Sequence, residues 1–171
     1  MDRMASIELA LKNEETEMKF YQGEAARSKN PLAKAMFDTL ARDEREHMER
    51  IQGLHGKLTA EGSWPETVKI DVAGTNVKKV LDELVGNVGS AEDHDDDDTK
   101  AIKRAIAFET NGEKFYAELA RVCENPKERE FFDFLSTIER EHKLSLTDTL
   151  AYLEDPSAWL EEHERAGLDG A

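Results

Sequence analysis

Among 171 residues the chain has one cysteine, Cys123. That excludes an internal disulfide and any paired-cysteine redox or metal motif, and it fits a reducing compartment, so a cytoplasmic location is expected. The chain also lacks any apolar run of about 18 residues, the length a membrane helix needs, and its N-terminus has no basic-then-apolar stretch. Neither a membrane span nor a secretion signal is therefore expected. Cations are scarce, with 23 Lys and Arg against 38 Asp and Glu and a formal net charge of −15. Such a surface repels phosphate, which argues against nucleic acid as a partner. What is left is an acidic chain long enough for one domain with a real core.

What the chain does have is a repeat. Glu14, Tyr21, Asn30-Pro31, Phe37 and Glu44-Arg45-Glu46-His47 recur 95 residues later as Glu109, Tyr116, Asn125-Pro126, Phe132 and Glu139-Arg140-Glu141-His142. Laid without gaps, Ile7–Gln52 over Ile102–Thr147 gives 16 identities in 46 positions. Unrelated sequences of ordinary composition match at roughly one position in fifteen.

Each copy reads as a helical hairpin. Ile7, Leu11, Glu14, Met18, Tyr21 and Ala25 step by threes and fours, as do Ala33, Phe37, Leu40, Glu44, His47, Ile51, Leu54 and Leu58. That spacing puts each set on one helix face, the face a bundle buries. Ile102, Ala105, Glu109, Glu113, Tyr116 and Ala120, then Phe132, Leu135, Glu139, His142, Leu146 and Leu153, repeat the pattern. Asn30 before Pro31, and Asn125 before Pro126, supply an N-cap ahead of a proline at the first helical position. The expected fold is all-α: a four-helix bundle spanning residues 1–155, built from hairpins at about 5–58 and 100–153. A crossover of about residues 59–99 joins them, with a turn at Gly62-Ser63-Trp64-Pro65, an extended Val68–Val72 and a brief helix over Val77–Val85. Asp155-Pro156 ends the fourth helix, and residues 156–171 hold a short fifth helix, Ser157–Arg165, and a tail.

Glu14, Glu44, His47, Glu109, Glu139 and His142 lie on the apolar stripes. Burying an unpaired carboxylate costs several kcal/mol, and four together repel one another. Two divalent or trivalent cations would neutralise them, with one imidazole for each metal. Residues three apart in Glu-x-x-His share a helix side and can share a metal. Helices one and three each give a lone Glu, and helices two and four each give Glu-x-x-His, the division known in di-iron carboxylate bundles. One Glu-x-x-His on a charged helix is a weak signal. Two copies, each with an upstream core Glu, are a strong one. The competing reading is a metal-free network of hydrogen-bonded acids, disfavoured because neither ligand set lacks a member.

With these residues in place, the chain resembles the rubrerythrin family of the ferritin-like superfamily, over both hairpins, the crossover and the closing Gly167-Leu168-Asp169-Gly170-Ala171. The resemblance implies a ferritin-like bundle holding two iron ions, with manganese or a mixed pair as alternatives, and makes the six Glu and His residues its ligands. It gives Tyr21 and Tyr116 the role of hydrogen-bonding to ligand glutamates from behind; the alternative is two core aromatics with satisfied hydroxyls. It also implies a peroxide reductase, with hydrogen peroxide or dioxygen as oxidant, acting as a homodimer. An iron-binding, ferroxidase-like protein is the second reading. Two departures from the family stand out. Rubrerythrins proper carry a four-cysteine rubredoxin domain, so this chain is expected to need an external donor such as a rubredoxin-type protein. The family also places a seventh carboxylate one turn after the third-helix Glu, where this chain has Gly112. Glu113, or Glu17 in the first hairpin, could take its place, since each lies ~40–60° around the helix from its ligand Glu.

Other features read plainly. Asp95–Asp98 is expected to be a solvated acidic loop that favours the following helix N-terminus. His55, His94 and His163 have no repeat partners and are expected at the surface. Met18, Met36 and Met48 are packing residues, because a carboxylate site selects hard metals. Cys123 is a small apolar residue, and Trp64 an anchor for the crossover.

Overall fold

The computed structural model describes residues 3–62, 64 and 96–168. Five helices account for nearly all of them: α1 (Arg3–Arg27), α2 (Pro31–Glu61), α3 (Asp96–Val122), α4 (Pro126–Glu154) and α5 (Pro156–Leu168). No strand occurs among the described residues. The architecture is the all-α, ferritin-like helical bundle with a short C-terminal helix. The remaining crossover expectations, the extended Val68–Val72 and the helix over Val77–Val85, lie outside the described residues, as does His94.

Both hairpin turns are set by the same Asn-Pro pair. The Asn30 side chain accepts hydrogen bonds from the Leu32 and Ala33 amides at 2.9 and 3.1 Å, and Pro31 opens α2. Asn125 does the same for Lys127 and Glu128 at 2.9 and 3.3 Å ahead of Pro126. These bonds satisfy amides that the first helical turn leaves without partners. Asp155 ends α4 and caps α5, accepting from the Ala158 amide at 3.0 Å. Trp159 fastens α5 to α4 through a 2.7 Å bond to Asp148 and an edge contact with Tyr152.

α1 pairs with α2 and α3 with α4, and the hairpins meet through α1–α3 and α2–α4. The core divides in two. One apolar cluster gathers Tyr21, Met36, Phe37, Leu40, Ile102 and Leu153; the other gathers Ile7, Ile51, Leu54, Tyr116, Phe132 and Leu135. Because Ile7 of α1 shares one cluster with Tyr116 of α3, and Tyr21 shares the other with Ile102, these two helices run antiparallel. Trp64, just past α2, is buried against Phe131 and Phe132.

The acidic run differs from its expected form. Asp96–Asp98 belong to the first turn of α3, and Asp98 is fully buried. Its carboxylate accepts from Arg27 at 3.3 Å and from the Asn30 amide at 3.4 Å. A donor pair at the first hairpin's turn makes this burial tolerable, and ties the start of the second hairpin to it.

Candidate metal centre

Between the two apolar clusters lies a polar layer. Glu14, Glu44, Glu109, Glu139 and His142 are completely buried, and His47 is 2 % exposed. The structure brings all six together. One group of ligand atoms comprises Glu14, Glu44, His47 and Glu139, and a second comprises Glu44, Glu109 and His142, the atoms of each lying within 4.8 Å of one another. Helical phase explains the convergence. Positions 14, 44, 47 and their repeats occupy the core stripe at mid-length, so four helices aim them at one another.

Both histidines turn Nδ1 inward. His47 Nδ1 is 3.2 Å from Glu14 and 3.0 Å from Glu44. His142 Nδ1 is 3.1 Å from Glu44 and 3.5 Å from Glu109, without hydrogen-bond geometry to either. The two rings stack with centroids 5.6 Å apart. Glu44 therefore faces both imidazoles, one through each oxygen.

The tyrosines act across the bundle. The Tyr21 hydroxyl donates to Glu109 and the Tyr116 hydroxyl to Glu14, so each hairpin's phenol serves the other hairpin's glutamate. Antiparallel packing of α1 and α3 causes this crossing. The phenyl rings of Phe37 and Phe132 stack on Tyr21 and Tyr116 at 6.1 and 6.4 Å and hold them in place.

Such a layer carries an electrostatic cost that protons partly relieve. Burial, then the Glu44 charge, pushes Glu14 up to about 7. Burial and then Glu109 hold Glu139 well above the ordinary carboxylate range. Burial works against charge on His47, yet Glu44 and Glu14 outweigh it and push it up to about 10. His142 is likewise raised, by Glu109 and Glu44 against the effect of burial. Burial would raise Glu44, but the two histidines together hold it well below its usual range. The phenols of Tyr21 and Tyr116 are raised by burial and then by the carboxylates they face, so they stay donors.

Even so, several ligand atoms remain without a hydrogen bond: Glu44 Oε1, Glu109 Oε2, both oxygens of Glu139, and both ring nitrogens of His142. Buried polar atoms normally find partners. Orphaned carboxylate oxygens and an imidazole nitrogen, all converging on one place, are the donor set of a hard or borderline metal ion. The residues fit a pair of ions, with Glu14 and His47 on one, Glu109 and His142 on the other, and Glu44 reaching both.

Two residues expected as alternatives part company. Glu113 is a quarter exposed and ion-paired with Lys143, away from the layer. Glu17 is 8 % exposed and lies near enough to Glu44, Glu109 and Glu14 to feel their charge, but it contributes no atom to either group of ligand atoms. Burial and then those carboxylates hold it well above the usual range. Asp43 went unnoticed in the sequence: its carboxylate lies 3.5 Å from His142 Nε2, behind the ring. The available signal was a broken repeat, since Asp43 adjoins a ligand yet corresponds to Ile138. His55 is a third exposed beside Glu8, and His163 lies on Trp159, both apart from the layer.

No described helix is long and apolar enough to cross a membrane. No curated protein and no solved structure matches the chain. The family model named Rubrerythrin matches residues 6–150, and matches again over 100–167, where the second hairpin lies. With most of its length covered and its buried Glu and His residues gathered into one layer, the chain belongs to the rubrerythrin family.

Proposed function

We propose that the protein is a di-iron oxidoreductase that reduces hydrogen peroxide with electrons from an external donor. The observation that carries this reading is Glu44, which belongs to both groups of ligand atoms and so would hold two ions side by side. Two adjacent ferrous ions supply the two electrons that, with two protons, convert hydrogen peroxide to two waters.

The chain's own residues prepare the site for that chemistry. Tyr21 and Tyr116 fix the two terminal glutamates by hydrogen bonds from outside the layer, an arrangement that orients ligands and tunes their basicity. The apolar clusters on either side keep bulk water from the layer, which strengthens every charge interaction within it. In the metal-free layer burial and Glu44 push Glu14 up to about 7, so binding of an ion there displaces a proton. These residues contain a single cysteine, so sustained turnover draws electrons from a separate donor, for which a rubredoxin-type protein is suited.

The test is anaerobic loading with ferrous iron followed by mixing with hydrogen peroxide. Peroxide should oxidise the bound iron in a single burst that stops, and a reduced rubredoxin-type donor should restore consumption. Protein that ignores peroxide, reacts readily with dioxygen and accumulates iron beyond one pair per chain would replace this reading with iron handling of the ferroxidase type.

A further inference from the structure

The two Glu-x-x-His glutamates hold corresponding places in the repeat, yet they stand differently. Glu44 lies between the imidazoles, 3.0 Å from His47 and 3.1 Å from His142. Glu139 is as deeply buried, but neither of its oxygens has a hydrogen-bond partner. The repeat also differs at one position of the helices that face them. Position 112 on α3 is Gly, whereas its counterpart in the first hairpin, position 17 on α1, carries a side chain.

At Gly112 the Glu139 side chain comes up against the α3 backbone. A Cβ added there would lie 2.9 Å from Glu139 Oε2, 3.0 Å from Cδ and 3.2 Å from Cγ. Non-bonded carbon atoms keep about 3.5–4.0 Å apart, so alanine at this position and Glu139 as it stands exclude each other. The other glycines inside described helices are open: at Gly23, Gly53 and Gly56 an added Cβ would meet nothing within 4 Å. Glycine in a helix interior is unfavourable relative to alanine, and its use is to let another group approach the backbone closely. From this recess Glu139 still offers an oxygen to the group formed with Glu14, Glu44 and His47, whose ligand atoms lie within 4.8 Å of one another. The backbone of α3 therefore sets its reach from behind.

We propose that Gly112 is a positioning residue for Glu139: by carrying no side chain it lets the glutamate lie against the α3 backbone, the place from which it serves the ion held by Glu14 and His47. This rests on the dinuclear reading above. Bulk at position 112 displaces the carboxylate from its group and so lowers affinity at the Glu14–His47 position. The Glu109–His142 position, to whose group Glu139 contributes no atom, is indifferent to that bulk. The two metal positions are thus made inequivalent by a residue that ligates neither.

Anaerobic titration of the whole chain with cobalt(II), followed by its visible absorption, tests this without any turnover. The natural protein should bind two cobalt ions. Gly112→Ala should weaken one position by about tenfold or more, the range for altered ligand support, shift the absorption of that ion, and leave the other unchanged. A His47→Ala background identifies the affected position: there only the Glu109–His142 ion should report, and Gly112→Ala should change nothing. Gly23→Ala, the same change where no atom is near, should leave both affinities as they were. Glu139→Asp withdraws the carboxylate by one methylene and should weaken the Glu14–His47 position by itself. In that background Gly112→Ala should add little, as coupled residues do in a double-mutant cycle. Should Gly112→Ala lose helix content, Glu139→Asp should restore it by removing the clash. Unchanged affinities in Gly112→Ala, an equal fall at both positions, a full effect in the Glu139→Asp background, or lost helix content that Glu139→Asp does not restore would each overturn the proposal. A natural protein that binds no second cobalt would remove the dinuclear centre itself; two ions bound alike by the natural protein and Gly112→Ala would remove only this part.

Discussion

At the residue scale the informative pair is a tyrosine and a glutamate from different halves of the chain. Tyr116 donates to Glu14 and Tyr21 to Glu109, so neither half-site is complete within one hairpin. Tyr116→Phe removes one hydroxyl from a fully packed ring and leaves Glu14 Oε1 without a donor. Both ions should still bind, but affinity at the Glu14–His47 position should fall about tenfold, with Tyr21→Phe doing the same at Glu109–His142. If the phenols were only core residues, the substitution would change stability by roughly 1 kcal/mol and leave both cobalt affinities as they were. The repeat made these tyrosines visible, because a residue type kept at one position in both copies shows up in a single sequence. It could not reveal the crossing, which depends on the antiparallel packing of α1 and α3. Asp43 and Asp98 escaped for a related reason. One lacks a repeat partner, and the other sits in an acid-rich run whose composition signals solvent, while burial is decided by Arg27 and Asn30, distant in sequence.

At the scale of the element, the helices were legible because their signals are local. Period, N-cap and proline all lie within a few residues of the feature they fix, and Asn30-Pro31 and Asn125-Pro126 start α2 and α4 where expected. The end of α2 was harder: the apolar stripe stops at Leu58, but the helix continues to Glu61, where Gly62 adopts a left-handed φ of 69° and its amide bonds to Leu58. α2 also contains two exposed glycines, Gly53 and Gly56, beside which an added Cβ meets nothing within 4 Å. These features give opposite expectations for one chemical change. Gly53→Ala should stabilise the protein by up to about 1 kcal/mol, because alanine gives up less freedom in a helix interior. Gly62→Ala should destabilise it by about 1 kcal/mol, since a Cβ is strained in the left-handed region. Thermal melts of the two variants measure both, and a Gly62→Ala protein as stable as Gly53→Ala would show that the helix end is not fixed by that residue.

For the whole molecule, the bundle's core is interrupted at mid-height by groups that oppose folding unless something neutralises them, and in the metal-free protein protons do so. Glu14 is raised from 4.5 to about 7 and His47 from 6.5 to about 10, so the folded state holds more protons than the unfolded chain across this range. Both shifts act in one direction: the stability they contribute is present in full below the unfolded values and is lost as pH rises, for Glu14 between 4.5 and about 7 and for His47 between 6.5 and about 10. Glu44, held low, acts in the opposite sense, but only below its ordinary 4.5. Solvent-exposed carboxylates are already ionised above that point and add little. The metal-free protein should therefore melt at a lower temperature at about pH 9 than at about pH 6. Metal ions displace the same protons, so their affinity rises with pH, and ligand binding to the folded state alone raises stability as the affinity rises. The gap between metal-loaded and metal-free melting temperatures should accordingly widen from about pH 6 to about pH 9. Melts followed by helical circular dichroism, with and without saturating cobalt(II), measure both slopes. A metal-free melting temperature that is flat or rises over this range would mean that protons do not neutralise the layer, and a gap that fails to widen would mean that metal does not take their place.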